Sequence, residues 1–274
     1  MTDLRRENLA WPDEKRVYLT LDYECDYGTA LSENTYYALS HTDELVTLLE
    51  NHEIPLTCFV QTEVLDERPD EVETLRNSDT LVNFHPHSHT HAPREEISIE
   101  DEIELSTARY RTFFETDPSG YRFPNGNVRE PDYRLLADYG YKFDASVFPS
   151  WRPGHFNNTR AETRPVYLPE YDIVELPFTV FSKALRIPTA LSYCQLIGRP
   201  YTELLKRRGP SSVVLNIHMH DLVTPPSYDD LSPLYRRIYD RNPSGFDTLR
   251  HLVEGLLQRG YAFSTLNRLH TEIV

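Results

Sequence analysis

The sequence predicts an α/β protein in which strands and helices alternate around a parallel sheet that closes, fully or in part, into a barrel. Short apolar runs rich in β-branched residues recur along the chain, and amphipathic stretches of helical length separate them. Such alternation is typical of parallel βαβ units, and its span exceeds what a small open sheet requires. The chain has 274 residues, so we predict one domain over residues 1–274 with a substantial buried core.

The elements of the first half are defined by hydrophobic periodicity and by helix caps. The first strand is predicted at Arg16–Leu21, and the helix Thr42–Asn51 follows with Thr42 as N-cap, early acids and a leucine face. Ser98 and Asp101 open a later helix in the manner of a capping box. In chain order the remaining predicted elements are a strand at 56–60, an acidic helix at 69–76, a strand at 80–84 and a long helix at 98–115.

The elements of the second half are separated by two long segments. We predict a helix at 133–139 stopped by Gly140, a strand at 212–217, a helix at 246–258 ended by Gly260, and a last strand at 261–266. Residues 149–169 and 222–245 are rich in Pro, Asn, Ser and Tyr, and we predict long loops there. Loops of this length usually shape a substrate cleft or an interface.

Composition excludes several classes of partner. The 43 acidic residues outnumber the 28 basic ones, and the formal net charge of −15 disfavours binding to nucleic acid or to anionic lipid. No stretch of about 18 apolar residues indicates a membrane span, and the first eleven residues do not resemble a secretory leader. The three cysteines are far apart and odd in number, which favours free thiols in a reducing cytoplasm. Nothing in the sequence indicates an oligomeric state.

A run of histidines makes a metal site the first functional hypothesis. His85, His87, His89 and His91 lie within seven residues, and imidazole is the commonest protein ligand for metals. His87 and His91 have the spacing that would bring them to one face of a helical turn.

Acids at the end of the first strand supply the remaining part of such a site. Strand alternation places Asp22, Glu24 and Asp26 on one side. Two histidines and one carboxylate form an open site for a divalent metal, and a second carboxylate beside it could accept a proton from water. The chemistry that this pattern indicates is hydrolysis of an amide or an ester.

Two further segments carry polar groups that fit this chemistry. Arg122 lies in the turn 120–126, held by Pro and Gly, where it could pin a carboxylate bidentately and keep it ionised. His218 and His220 end a β-rich run and are followed by Asp221, which is the pattern of a proton donor with its orienting acid.

These residues, in this order, resemble the polysaccharide deacetylase family, also called the NodB homology or carbohydrate esterase 4 group. The resemblance covers about residues 17–269, and it is carried by segments 20–24, 87–91, 122–126, 140–146 and 215–218. The Asp-x-Glu form of the first segment is similar to the allantoinase-like and lipid-sugar deformylase branches. The resemblance implies a distorted (β/α) barrel, complete or incomplete.

The resemblance also implies roles for individual residues. Asp22 would be the catalytic base, Glu24, His87 and His91 the metal ligands, Arg122 the residue that orients the base, and His218 the general acid. Asp26 stays open as an alternative to Glu24, and His220 as an alternative to His218. The residues implied to line the pocket or to support the site are His85, His89, Pro124, Asp144, Trp151 and Asp221.

The predicted function is therefore a metal-dependent hydrolase that removes an N-acyl group, in the first instance N-acetyl, from a sugar that is free or linked to a nucleotide, lipid or polymer. Zinc is the expected ion, with iron, cobalt and nickel as alternatives. The rival predictions are an N-deformylase, a cyclic-imide hydrolase of the allantoinase type, and an inactive relative that binds sugar or metal. A non-haem iron oxygenase also uses two histidines and a carboxylate, but its carboxylate normally lies beside the first histidine on an all-β scaffold.

Overall fold

Twelve strands and eleven α-helices are found in the part of the chain that the computed structural model describes, residues 5–152 and 156–274. The strands are β1 (Glu7–Asn8), β2 (Arg16–Tyr23), β3 (Leu56–Val60), β4 (Val82–Pro86), β5 (Gly120–Tyr121), β6 (Phe143–Asp144), β7 (Trp151–Arg152), β8 (Phe156–Asn157), β9 (Val166–Leu168), β10 (Ile173–Glu175), β11 (Ser212–His218) and β12 (Ala262–Ser264). The helices are α1 (Thr42–Asn51), α2 (Val64–Glu67), α3 (Pro69–Arg76), α4 (Ile99–Phe114), α5 (Glu130–Asp138), α6 (Leu191–Ile197), α7 (Arg199–Arg208), α8 (Met219–Leu222), α9 (Pro233–Tyr239), α10 (Gly245–Leu257) and α11 (Leu266–Ile273).

The central sheet is parallel and buried on both faces. Its order is β11-β2-β3-β4. Strand β12 lies on the same side of β2 as β3 does, but it pairs with residues 16–18 whereas β3 pairs with residues 20–23. Almost every residue of β2 and β3 is buried. Helices cover one face, and on the other Tyr18 and Phe59 pack against Phe143 of β6, so the strands are buried on both sides.

A second sheet continues the curvature of the first. Its order is β1-β9-β10-β6-β5, and β5, β6 and β10 run parallel to one another. The amide of Arg122, just after β5, donates to the carbonyl of Pro86 at the end of β4 at 3.2 Å, which joins the two sheets. The parallel strands together form a curled half-barrel, so the predicted distorted α/β barrel is confirmed.

The first-half predictions agree closely with the structure, with one difference at a helix cap. Helix α1, strand β3 and helix α3 have the predicted bounds. Thr42 is the first residue of α1 and not its N-cap, which is His41. The Thr42 hydroxyl instead donates to the carbonyl of Leu39 at 2.7 Å and lies 2.6 Å from the Tyr23 hydroxyl, so it links the helix to the end of β2.

The two predicted loops contain secondary structure, which corrects the sequence-based prediction. Residues 149–169 include β7, β8 and β9, and residues 222–245 include helix α9. Helices α6 and α7 were not predicted either. Helix α9 packs against α6, which in turn packs against β11. These elements therefore build a wall beside the carboxyl end of the central sheet.

Across the described residues, no helix combines the length and the apolar character needed to cross a membrane.

Candidate active site

The carboxyl ends of β2 and β11 bring the first polar residues together. Asp22 lies in β2, Glu24 follows the end of that strand, and His218 ends β11 directly opposite Asp22 in the parallel register. Asp22 and Glu24 are only 5% and 6% exposed. Functional groups collect at this edge because parallel strands all end there.

The Glu24 carboxylate contacts both histidines of the predicted pair. Its Oε2 lies 3.0 Å from His87 Nε2 and 2.7 Å from His91 Nε2, and all three side chains are buried. The two histidines are not on a helix, which corrects the predicted helical turn. They lie in a loop after β4 in which Ser88 and His91 have positive φ angles of 67° and 59°, and these two turns bring the rings together.

A carboxylate that sequence reasoning missed holds this histidine loop in place. Glu102, in α4, accepts hydrogen bonds from the amides of His89 and Thr90 at 2.7 and 3.0 Å and from the Ser88 and Thr90 hydroxyls. A positive φ angle raises the conformational energy of any residue that carries a side chain. The Glu102 interactions offset that cost and so keep His87 and His91 facing Glu24.

The donor set fits a divalent metal ion. His87 Nδ1 lies 2.8 Å from the carbonyl oxygen of Arg122, which can only accept, so Nδ1 is the donor and the Nε2 lone pair of neutral His87 faces Glu24. His91 Nδ1 is buried and has no hydrogen-bond partner among the described residues. Although burial opposes it, Glu24 raises the pKa of His91, so in the metal-free protein a proton on His91 Nε2 satisfies the 2.7 Å contact, and a divalent cation would take the place of that proton. Two histidines and one carboxylate are a common ligand set for zinc or iron.

A second cluster, of Glu24, His218 and His220, converges similarly but suits a metal less well. The amide of Tyr27 donates to His220 Nδ1 at 3.1 Å, so neutral His220 carries its proton on Nε2 and has no lone pair left for a ligand. Burial, reinforced by nearby His218, lowers the pKa of His220 to about 4, which keeps the ring neutral near pH 7. The geometry therefore favours the cluster with His87 and His91.

Asp26, the alternative ligand considered above, is directed elsewhere. Its carboxylate accepts from the amides of Tyr37 and Ala38 at 2.8 and 2.9 Å and from the Thr35 hydroxyl at 2.9 Å. Strand β2 ends at Tyr23, so the alternation that would have aligned Asp26 with Glu24 does not continue. Asp26 thus anchors the turn that leads into α1.

Arg122 is fully buried and is paired with Asp22. Its Nη1 donates to Asp22 Oδ1 at 2.5 Å, and its guanidinium carbon lies 3.9 Å from the centroid of Phe59 and 4.4 Å from that of Phe178. A single nitrogen makes the contact, so the predicted bidentate pairing is wrong. Burial by itself would raise the pKa of Asp22, but Arg122, together with His87 and His218, outweighs it and holds that pKa well below its usual value.

Asn216 was not assigned a role from the sequence, although it lies at the centre of this network. Its Oδ1 accepts from Arg122 Nη1 and from the Thr20 hydroxyl, both at 2.8 Å, and its Nδ2 donates to Asp22 Oδ2 at 3.3 Å. Asn216 shares a face of β11 with His218, two residues along the strand. A polar residue at that position in an apolar strand was the signal that could have identified it.

Replacing Arg122 by Met is expected to lower the free energy of unfolding by about 3–5 kcal/mol, because it leaves the buried Asp22 carboxylate without a counterion. Urea unfolding of the metal-free protein measures this. The double variant that also carries Asp22→Asn should lose less stability than Arg122→Met alone, since it buries no lone charge. A loss below about 1 kcal/mol for Arg122→Met would contradict the pairing.

His218 has the contacts of a proton donor. Its Nδ1 lies 2.8 Å from Asp221 Oδ2, its Nε2 lies 3.5 Å from Asp22 Oδ2, and its side chain is 21% exposed. Burial would lower the pKa of His218, but the carboxylates of Asp221 and Asp22 raise it well above its usual value. His218 is therefore protonated near neutral pH in the metal-free protein.

Of the six residues implied to line the pocket or to support the site, only Trp151 is among the described residues that line the cavity. His85 accepts from the Gly120 amide and pairs with Asn267 at 2.8 Å, so it connects β4 to β5 and to α11. His89 Nδ1 lies 3.0 Å from the Thr62 hydroxyl. Neither these histidines nor Pro124 is among the residues that line the active-site cavity.

A pair of buried carboxyl groups lies behind Arg122. Asp144 accepts from the amide and hydroxyl of Ser146, and Glu175 accepts from the Tyr133 hydroxyl and from the Val147 amide. The two carboxyl groups interact directly, and burial together with their mutual repulsion raises the pKa of Glu175 well above its usual value. Burial raises the pKa of Asp144 as well, though less, so Glu175, which sequence reasoning missed, is the member of the pair that favours the proton.

A cavity of about 380 Å³ opens above the predicted catalytic and metal-binding residues. Asp22, Glu24, His87, His91 and His218 are on its floor. Trp151 lines the cavity, as predicted, together with residues from α6 and α9. A pocket of this size that holds a few convergent polar groups is the usual form of a small-molecule site.

A family model matches the first half of the chain. Residues 11–143 match the model for polysaccharide deacetylases, and that range includes Asp22, Glu24, His87, His91 and Arg122. No curated protein matches the sequence.

Solved structures similar to this chain share its fold at low sequence identity. A proposed polysaccharide deacetylase from Mycobacterium smegmatis is 15% identical with a TM-score of 0.61, covering 99% of this chain and 95% of that one. A family 4 carbohydrate esterase from Bacillus anthracis is 14% identical with a TM-score of 0.54, covering 97% and 86%. A pseudoenzyme of the same esterase family from Bacillus anthracis is 12% identical with a TM-score of 0.57, covering 94% of this chain and 66% of that one.

The pseudoenzyme shows that this fold alone does not determine activity, so the finer function has to be argued from the site. The sequence match identifies residues 11–143 as part of a polysaccharide deacetylase, a hydrolase that acts on a carbon–nitrogen bond, and over nearly the whole chain the fold is similar to that of solved structures of this type.

Proposed function

We propose that the protein is a metal-dependent deacylase that hydrolyses an N-acyl group, in the first instance N-acetyl, on a sugar. The observation that carries this proposal is one cavity floor that holds a metal-ligand set (Glu24, His87 and His91), an ionised carboxylate and a protonated histidine. A base and an acid beside one reacting centre are what amide hydrolysis requires, and Asp22 and His218 lie side by side on this floor, 3.5 Å apart.

Glu24, His87 and His91 would hold one divalent ion, with zinc the expected species. When bound, such an ion polarises an acyl carbonyl and lowers the pKa of water. The hydrogen bond from His87 Nδ1 to the Arg122 carbonyl orients the ring toward the ion.

Asp22 would serve as the base. Its carboxylate stays ionised because Arg122 is in contact with it, and the Asn216 amide fixes its orientation at 3.3 Å. It can therefore accept a proton from the attacking water. His218 would serve as the acid: as the carbon–nitrogen bond breaks, it gives its Nε2 proton to the leaving amine, while Asp221 stabilises the charged ring.

His220 is the weaker candidate for the acid. A ring that is neutral near pH 7 and receives the Tyr27 amide at Nδ1 has a less acidic Nε2 proton than the imidazolium of His218. We infer that His220 supports His218 by stacking, since their ring centroids are 4.8 Å apart and nearly parallel.

Replacing Asp221 by Asn is expected to move the alkaline limb of the kcat profile to lower pH. The raised pKa of His218 keeps the acid form present until the pH passes through that pKa, and removal of the Asp221 charge lowers it. The Asn oxygen can still accept from the His218 amide and ring. The ratio of the wild-type kcat to the kcat of Asp221→Asn should therefore increase as the pH rises. An equal loss at every pH would remove Asp221 from this role.

Mass spectrometry tests the reaction class. The zinc-loaded protein is incubated with N-acetylated sugars, N-formylated sugars and cyclic imides. Deacetylation lowers the substrate mass by about 42 units and deformylation by about 28, whereas imide opening adds about 18, as expected for hydrolysis. Loss of acetyl groups supports the proposal. Turnover of only formyl or imide substrates would replace it, and no turnover of any class would favour an inactive relative.

A further inference from the structure

The outer part of the cavity differs in chemistry from its floor. It is lined mainly by aromatic and aliphatic side chains contributed by β7, α6 and α9, among them Trp151, Leu196, Tyr235, Ile238 and Tyr239. We call these five residues the apolar wall. Tyr239 connects the wall to the floor, because its ring lies 4.9 Å from that of Tyr27 and 5.4 Å from that of His220.

Two members of the apolar wall are exposed to water. Trp151 is 59% exposed and Leu196 is 40% exposed. Large apolar side chains that face solvent beside a cavity leave hydrophobic area that a ligand can cover, and such patches commonly mark binding sites. Both lie within the lining of the cavity that holds Asp22 and His218.

The charges of the cavity are confined to its floor. Asp22, Glu24 and Arg122 are the only Asp, Glu, Lys or Arg residues among the described residues that line it. Arg122 is 1% exposed and is already paired with Asp22. A phosphate or diphosphate on a substrate normally binds Arg, Lys or a helix N-terminus. With a net charge of −15, the protein would also repel an anionic carrier.

We propose that the apolar wall binds a hydrocarbon chain or aromatic ring attached next to the N-acylated unit, so that the substrate is a neutral amphiphilic N-acyl compound. This inference rests on the proposed function, and it adds the substrate class. The acyl group would lie over the floor while the apolar group covers Trp151, Leu196 and Ile238. A nucleotide diphosphate would instead need a cationic side chain, and the described lining has none beyond the paired Arg122.

A matched pair of substrates tests the proposal. The methyl and hexyl glycosides of N-acetylglucosamine differ only in hydrocarbon length, and a uridine diphosphate sugar supplies the anionic comparison. Each buried methylene group contributes roughly threefold to fourfold in affinity. We therefore expect kcat/KM of the zinc-loaded protein to be at least about tenfold higher for the hexyl glycoside, with the diphosphate sugar no better than the methyl glycoside. Equal values for the pair, or a preference for the diphosphate sugar, would overturn the proposal.

A binding measurement tests the apolar wall independently of catalysis. Dissociation constants of both glycosides are measured by calorimetry on the zinc-loaded protein and on Asp22→Asn. If no glycoside is turned over, the proposed deacylase function fails, while tighter binding of the hexyl glycoside still supports the apolar wall and equal binding removes it.

A pair of leucine variants localises the effect. Leu196→Ser should reduce the preference for the hexyl glycoside by about threefold or more. Leu257→Ser is the matched control, because Leu257 is 38% exposed on α10 and lies outside the cavity lining. It should leave the preference unchanged. Equal effects of the two variants would place the hydrocarbon elsewhere.

Discussion

Replacing Asp22 by Asn is expected to lower kcat by roughly 10² to 10⁴-fold while the protein still binds one metal ion. The amide is nearly the same size as the carboxylate but cannot accept the proton of the attacking water. Asp22 is not among the proposed metal ligands, Glu24, His87 and His91, so metal affinity should change little.

The structure also explains what else this variant should change. Arg122 loses its counterion, although it keeps its stacking between Phe59 and Phe178 and its hydrogen bond to the Ala145 carbonyl. Stability should fall, so the kinetics are measured well below the unfolding temperature, with metal content determined on the same sample. Full activity with metal bound would remove Asp22 from the mechanism. Loss of the metal would instead assign Asp22 to the ligand set.

Replacing Glu24 by Gln is expected to have the second largest effect. Unlike Asp22→Asn, it should weaken metal binding. Glu24 Oε2 is the only carboxylate oxygen that contacts both ligand histidines among the described residues. Since the loss of even a supporting residue costs a metal site 10–100-fold in affinity, removal of this ligand is expected to weaken zinc binding by at least about 100-fold. Activity at limiting zinc should fall in parallel.

Asp26→Asn is the matched control for this variant. It removes the same charge two residues away, but the Asp26 carboxylate binds the amides of Tyr37 and Ala38. Zinc affinity should therefore be unchanged. Zinc should raise the unfolding free energy of wild type and of Asp26→Asn, by about 2.7 kcal/mol at a concentration 100 times the dissociation constant, and should do so far less for Glu24→Gln. The opposite ranking would make Asp26 the ligand.

Local sequence patterns were sufficient for much of the central sheet and its helices. The bounds of α1 and α3 followed from hydrophobic periodicity, because each helix buries one regular set of apolar residues, and β3 followed from a short, mostly apolar run that is buried throughout. The segments 149–169 and 222–245 had no such pattern. Their strands are two or three residues long and helix α9 begins at a proline, so tertiary packing rather than local preference determines their structure.

The same distinction holds for the site. The histidine pair and the acids after β2 could be found because they are close together in sequence and have the spacing of ligands. Glu102 and Glu175 could not, because Glu102 is one of several acids at the start of α4 and the partners of both residues lie in other elements of the fold. The apolar wall also depends on the packing of α6 against α9, which periodicity did not predict.

A metal titration of the metal-free protein tests the central claim most directly. Zinc is added stepwise to protein stripped of metal, and the deacylation rate is recorded with the most active N-acyl substrate. If Glu24, His87 and His91 hold one ion, as proposed, the rate should start near zero, rise linearly and level off at one ion per chain. Full activity without metal, or an end point of two ions per chain, would contradict a single metal centre built from these three residues.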